Sequence, residues 1–293
     1  MKKFLSLVLA LVMTMSLVTV SAGAKDFSDD GSITYKEAVD VISGIGVVDG
    51  YSGGDFRPDD VLTRGAAAKI ICNLILGPTT AAELHADTAP YKDVPTSNTF
   101  SGYIAYCAKE GIISGYADGS FRPAGTLTGY AFMKMLLGAL GYDATYEGYT
   151  GGNWSINVAK QAIGIGLNKG LVDEFNGVDF VTREEAALYA FNTLKATMVD
   201  YDQKITTNVN GVDVTISQGS SKPVTWSEGI NEDGNIKDDN FVQFAEEFFP
   251  KLVRKDDNDK FMAPANTWVF DKSEIGTYER TDLIVETYTE GVT

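Results

Sequence analysis

Cysteine, histidine and basic charge are all scarce in this chain. Only Cys72 and Cys107 occur in 293 residues, too few and too far apart for a disulfide scaffold or a cysteine zinc centre. Their positions align with the apolar residues Leu137 and Ile42 in other copies of an internal repeat, so free, buried thiols are expected. The single histidine, His85, lies among Ala81, Ala82, Glu83 and Asp87, without the cluster that a metal centre or an acid–base pair needs. Lys and Arg number 24 against 40 Asp and Glu, a formal charge of -16, which excludes a basic surface able to follow a nucleic-acid backbone. After residue 200 no nucleophile–base pair, phosphate-cradling loop or metal-ligand spacing is found, and scattered carboxylates read as a solvated face. The expectation is a protein that binds without catalysing, with no cofactor and no metal.

Hydrophobic residues at 44% and charged residues at 22% suit a globular chain with a buried core. Met1 to Ala24 has a basic start (Lys2, Lys3), an apolar run from Phe4 to Val20 and the small-x-small sequence Ala22-Gly23-Ala24. That is an export signal cut before Lys25. The run is shorter than the roughly 20 residues that span a bilayer, so no membrane partner is expected after cleavage. Next comes DFSDDGSITYKE (Asp26 to Glu37), which spells a calcium loop with oxygens at Asp26, Ser28, Asp30, Thr34 and Glu37. A calcium hand also needs an entering helix, and only the export signal precedes it. The stretch therefore reads as the start of a helix, with Ser32 or Thr34 as N-cap and Glu37 in the first turn.

Internal repetition organises the chain from there to about residue 200. GYSGGDFRPDDVLTRGA (Gly50 to Ala66) aligns with GYADGSFRPAGTLTGYA (Gly115 to Ala131) at an offset of 65 residues. A third copy, KGLVDEFNGVDFVTREEA (Lys169 to Ala186), aligns Gly170 with Gly46 and Gly111 and runs 12 residues from there to Thr182, against 17 from Gly46 to Thr63. After each Thr, apolar residues recur at helical spacing: Ala67, Ile70, Ile71, Leu74 and Ile75, then Phe132, Met135, Leu136, Ala139 and Leu140, then Ala186, Tyr189, Ala190 and Leu194. A weaker amphipathic helix precedes each loop and ends at a glycine. A lone helical hairpin cannot enclose its apolar stripe, so the three copies should pack on one another.

The loops GVVDGYSGGDFRP and GIISGYADGSFRP, with the helix starts TRGA, TGYA and TREE, resemble the S-layer homology repeat over about residues 26 to 200. The resemblance implies a mainly α protein, three helix-loop-helix repeats packed as a pseudo-threefold bundle, followed by a smaller β-containing region. The division is residues 1–24 export signal, 25–86, 87–145 and 146–200 the three repeats, the third divergent, and 201–293 a β-rich or mixed region whose natural chain can extend past Thr293. It further implies a secreted, wall-bound protein whose partner is an anionic, pyruvylated secondary cell-wall polysaccharide, with self-association in a surface layer compatible with it.

Arg64 and Arg183 at the helix starts then become candidate ligands for a ketal carboxylate, acting in different grooves beside the free N–H groups of the helix N-terminus. Thr63 and Thr182 are candidate contacts and also N-caps, Thr182 with Glu185 forming a capping box. Gly50 and Gly115 are assigned to turns of positive φ, Tyr51 and Tyr116 either to stacking on a sugar or to packing on the loop, and Arg57 and Arg122, each before Pro, to extended backbone reaching the groove. Gly129 stands where the other copies have Arg, so its groove should be weak, and an Arg there should fit an exposed first turn. Beyond residue 200, Val209 and Val212 across Asn210-Gly211 signal a hairpin, Glu228 to Asn240 a loop, Phe241 to Leu252 a short helix, and Trp226, Phe248, Phe249 and Trp268 a small core. Two other functions fit the same sequence: the tether of a secreted polysaccharide-acting enzyme, and a calcium-binding surface protein.

Overall fold

The computed structural model describes residues 24–201, 206–209, 212–215, 220–226, 235–237, 239–280 and 283; the export signal through residue 23 and most of the acidic 228–240 stretch lie outside them. Helices fill the N-terminal part: α1 Lys36–Gly44, α2 Arg64–Leu76, α3 Pro78–Ala82, α4 Ser101–Lys109, α5 Gly129–Ala139, α6 Trp154–Gly164 and α7 Arg183–Leu194. Small sheets follow: β1 Val199–Tyr201, β2 Thr206–Val209, β3 Val212–Thr215 and β4 Ser221–Pro223, then α8 Phe244–Phe248 and β5 Leu252–Asn258, β6 Pro264–Phe270 and β7 Ser273–Glu279. All sheet pairing is antiparallel, β1 with β4, β2 with β3, and β5-β6-β7 in order. No described helix is long and apolar enough to cross a membrane.

The helices pack in a cyclic order. The first helix of each copy lies on the second helix of the copy before it: α4 on α2, α6 on α5, and α1, closing the circle, on α7. At the centre the extended residues that lead into α2, α5 and α7 bond to one another in a ring. Leu62 N–H donates to Val181 O, Val181 N–H to Leu127 O, and Leu127 N–H to Leu62 O, at 2.9, 3.0 and 3.2 Å. All three side chains are buried, so apolar packing and backbone pairing meet in one layer. A buried amide left without a partner costs roughly 1–3 kcal/mol, and the ring leaves none.

The third copy needs a new alignment. α1, α4 and α6 are each followed, two residues on, by a glycine at positive φ: Gly46, Gly111 and Gly166 at 79°, 73° and 78°. Gly166 is therefore the counterpart of Gly46, Gly170 that of Gly50, and the third loop is only one residue shorter than the others. A shared contact supports this register, since Asn73 Nδ2 donates to Val47 O and Asn192 Nδ2 to Leu167 O, both at 2.9 Å.

Helix α1 starts later than the sequence suggests. Its N-cap is Tyr35 without a side-chain cap, and neither Ser32 nor Thr34 serves. Glu184 of α7 takes over, its Oε2 accepting from Thr34 N–H at 2.8 Å and Tyr35 N–H at 3.4 Å. A carboxylate at a helix N-terminus satisfies both the orphan amides and the dipole, and here it also fastens the first copy to the third. Lys36 occupies the acidic stretch, with Nζ 2.7 Å from Asp30 and 2.6 Å from Asp40.

The C-terminal region shares the core of the helices instead of building its own. Trp268 is fully buried against Phe191 at a 5.3 Å ring separation. Its indole N–H donates to Glu37 Oε1 at 2.7 Å, Tyr278 O–H donates to Asp40 Oδ2 at 2.6 Å, and Ile275 covers Gly44. Phe249 joins the same core and Trp226 stays half-exposed. The helix expected over Phe241 to Leu252 is only α8, because Phe249 leaves the helical region at φ −130° and Pro250 then precedes a strand.

Glu184→Ala should lower the stability measured by urea unfolding by about 1 kcal/mol, the scale of a lost N-terminal cap, whereas Glu184→Gln, which keeps one acceptor oxygen, should lose less than half of that.

Candidate functional site

Each second helix opens with its amides already taken. In α2, Arg64 N–H donates to Gly125 O and Gly65 N–H to Pro123 O; in α5, Gly129 N–H donates to Asp179 O and Tyr130 N–H to Gly177 O; in α7, Arg183 N–H donates to Asp60 O and Glu184 N–H to Pro58 O. The third amide in each case is capped by a threonine hydroxyl, Thr63 to Ala66, Thr128 to Ala131 and Thr182 to Glu185, and Glu185 completes the capping box. The helix N-termini therefore offer no free N–H groups to an anion, contrary to the sequence expectation. Closing the ring of copies consumes them, and the threonines act as caps.

The guanidinium groups remain. Arg64 reaches over the second copy's loop: Nε donates to Phe121 O at 2.8 Å and Nη2 to Ser114 O at 3.1 Å, above the Phe121 and Tyr116 rings at 4.3 and 5.0 Å. Arg183 does the same on the first copy's loop, with Phe56 O at 2.8 Å, Asp49 O at 3.0 Å, and the Tyr51 and Phe56 rings at 4.7 and 4.8 Å. Arg122 and Arg57 also approach these tyrosines, Arg122 over Tyr116 and Arg57 over Tyr51, each 4.1 Å from the ring centre. Each groove thus holds a half-exposed tyrosine with two guanidinium groups close to its ring. Burial lowers the pKa of Arg64 and Arg183 from the ordinary arginine value, yet neither forms an ion pair with a carboxylate among the described residues. A partly desolvated cation with no carboxylate in direct contact, next to an aromatic face, suits an anionic sugar.

Two assignments change. Arg57 and Arg122 are not extended: their φ values are 57° and 59°. Beside each of them lies a carboxylate that sequence reading missed. Asp29 Oδ1 and Oδ2 accept from Phe56 N–H and Arg57 N–H, both at 2.7 Å, and Asp93 accepts from Phe121 N–H and Arg122 N–H, both at 2.8 Å. Two adjacent amides aimed at one carboxylate fix the loop just ahead of the left-handed residue. The recurring Phe-Ser-Asp and Tyr-Lys-Asp ahead of the first two copies was the available signal. Gly50 and Gly115 also serve a different purpose from the one expected. Neither has positive φ, which falls on Gly54 and Gly119 instead. A Cβ at 50 or 115 would sit 2.7 Å from the Phe27 ring or 2.3 Å from the Tyr91 ring, so glycine is required by close approach.

The third groove is built differently. Gly129 is buried, and a Cβ there would lie 3.2 Å from both Gly177 Cα and the Phe175 ring. The first turn is not open to an Arg, because Tyr130 and Phe175 pack edge to face over it at 5.8 Å. A cleft of about 170 Å³ lies beside it, lined by Asp173, Glu174, Asp179 and Glu185 together with Tyr35 and Tyr189. Its carboxylates oppose an anionic ligand. A separate cleft of about 590 Å³ runs between the helices and β6–β7, past Lys169, Arg254 and Trp268, away from the arginines and tyrosines singled out by sequence.

The family description "S-layer homology domain" matches residues 26–68 and 90–129. Over 188 residues the chain is 26% identical to a surface layer protein of Brevibacillus choshinensis, covering 64% of this chain and 17% of that protein. Over 248 residues it is 25% identical to a surface-layer 125 kDa protein of Lysinibacillus sphaericus, covering 78% and 20%. An uncharacterized cell wall amidase of Bacillus anthracis is 28% identical over 153 residues, covering 50% and 28%. The aligned part is thus less than a third of each relative's length.

Two measurements probe the loops. Amide hydrogen bonds hold the Asp93 carboxyl below its ordinary value, and Asp29 is likewise lowered, desolvation being outweighed there by the amide bonds. A depressed folded pKa contributes stability above the unfolded value of about 3.9, lost as pH falls through the folded pKa. Thermal midpoints should therefore fall more steeply with acid below about pH 4 in the native chain than in an Asp29→Asn, Asp93→Asn double variant. Separately, Gly129→Arg should lower unfolding free energy by about 1–3 kcal/mol through overpacking, with no gain in wall binding.

Proposed function

The chain carries S-layer homology domains of a cell-surface protein, and from that premise we propose that it anchors such a protein to the bacterial cell wall by holding an anionic, pyruvylated secondary wall polysaccharide in two grooves. One groove is Arg64 with Tyr116 and Arg122; the other is Arg183 with Tyr51 and Arg57. The observation that carries this reading is the pair of half-buried guanidinium groups without ionic partners, each aligned over a tyrosine by two loop carbonyls. A ketal carboxylate supplies the missing counter-charge, and the tyrosine face takes the sugar ring. The acidic third cleft is left empty of wall polymer.

The unit that presents these grooves is a pseudo-threefold bundle of three copies, about residues 25–86, 87–145 and 146–200. Its support is the cyclic packing of helices and the closed ring at Leu62, Leu127 and Val181. Binding, and no catalysis, is the role we assign to it. A second reading keeps the same grooves but makes the chain the tether of a wall-acting enzyme. The similarity to a protein named as a cell wall amidase favours it, and amidase assay of a longer natural chain would separate the two.

Sedimentation with purified walls, before and after extraction of the secondary polymer, tests the proposal. Binding should vanish with the polymer. Arg64→Ala and Arg183→Ala should each weaken binding by about 10- to 100-fold, the range for a lost charge-assisted hydrogen bond, and together by roughly the product. Extracted polymer should raise the thermal midpoint of the native chain and leave that of the folded double variant unmoved. A folded double variant that still binds walls like the native chain would overturn the assignment.

A further inference from the structure

Cys72 on α2 and Cys107 on α4 belong to different copies, and both are fully buried. Their sulfur atoms are 3.5 Å apart although 35 residues separate them in sequence. The setting is reciprocal. Cys72 Sγ lies 3.5 Å from Tyr103 O, one turn before Cys107, and Cys107 Sγ lies 3.7 Å from Ala68 O, one turn before Cys72. Each thiol thus points at the backbone of the other helix at the point where α2 and α4 pack. An S–S bond is about 2.05 Å long, so about 1.5 Å of closure, shared between two side chains, would join them.

We propose that Cys72 and Cys107 are a covalent modification site: a two-electron thiol oxidant, of the low-molecular-weight disulfide class, converts them into an intramolecular disulfide that staples the first copy to the second. A wall-bound chain works outside the reducing cytosol, where such bonds persist. The chemistry balances by exchange. One protein thiolate attacks the small disulfide and displaces one small thiolate; the second protein thiol then attacks the mixed disulfide and releases the other, so that two S–H groups and RS–SR become one protein S–S bond and two RSH. The neighbouring Cys107 thiol and burial push the Cys72 thiol up, and both side chains are closed to solvent. Oxidation is therefore slow in the folded chain and fast during folding, and the finished bond is shielded from reductants. The staple also ties the helix that begins with Arg64 to the helix that leads into the Tyr116 loop; this last consequence alone rests on the anion-groove reading.

The test refolds the full chain from denaturant in oxidised and reduced glutathione, then denatures it and alkylates it with a maleimide. The expected product is monomeric, two hydrogens lighter and unlabelled, with a proteolytic fragment linking Cys72 to Cys107. Its thermal midpoint should lie about 10 °C above that of the reduced chain, the scale expected for closing a loop of this length. Cys72→Ala and Cys107→Ala chains should show neither the mass loss nor an oxidation-dependent midpoint. The mass readout is independent of wall binding, so a failure of the groove assignment leaves it intact. Fully labelled thiols under conditions that oxidise a control dithiol protein, mixed disulfides with glutathione only, or covalent dimers in place of the monomer would overturn the proposal.

Discussion

Three backbone hydrogen bonds among Leu62, Leu127 and Val181 govern the arrangement of everything around them. Each residue gives its amide to one neighbour and its carbonyl to the other, so the circuit closes only when all three copies are present. Closure sets the approach of α2, α5 and α7. It brings each helix start against a neighbouring loop, where carbonyls of the Pro58, Pro123 and Gly177 positions consume the terminal amides. The consequence for chemistry is direct: with the helix ends occupied, any anion would have to be met by side chains, and only two of the three copies provide a guanidinium at that place.

The grooves are composite for the same reason. Arg64 comes from the first copy and its tyrosine from the second; Arg183 comes from the third copy and its tyrosine from the first. The loop beneath each arginine is held by an aspartate of the loop's own copy, Asp93 or Asp29. Several layers of ordinary interactions, none of them strong alone, thus hold one cation within reach of one aromatic face. Partial burial makes that cation costly to leave without an ionic partner, and in the function proposed above a ligand carboxylate would relieve that cost.

Much of this is legible in the sequence. The offset between the first two loops, the helical spacing after each threonine and the capping box at Thr182 read correctly because they are local, and the two β-branched residues flanking Asn210-Gly211 correctly mark the β2–β3 pairing. Matching Gly170 to Gly46 puts the third copy out of register; only the position of Gly166 two residues after a helix end settles it. Long-range contacts are illegible for a physical reason. Nothing near Glu184 indicates that its carboxylate caps a helix 150 residues earlier, and nothing near Gly129 reveals the Phe175 ring above it. Arg57 and Arg122 escape sequence reading because a pre-proline rule describes the isolated chain, whereas these residues sit in a folded loop at positive φ.

The docking of β6 and β7 on α1 has a mechanical meaning. Those strands follow the third copy in sequence and bridge it to the first, through Trp268 to Phe191 on one side and Trp268 to Glu37 and Tyr278 to Asp40 on the other. Tension at the end of β7 is therefore shared between α7 and α1. It loads the indole and phenol contacts and passes into the helix that is itself clamped by Glu184. A pull from the outside is spread across the seam between the first and last copies, so the load reaches a closed hoop instead of a free end.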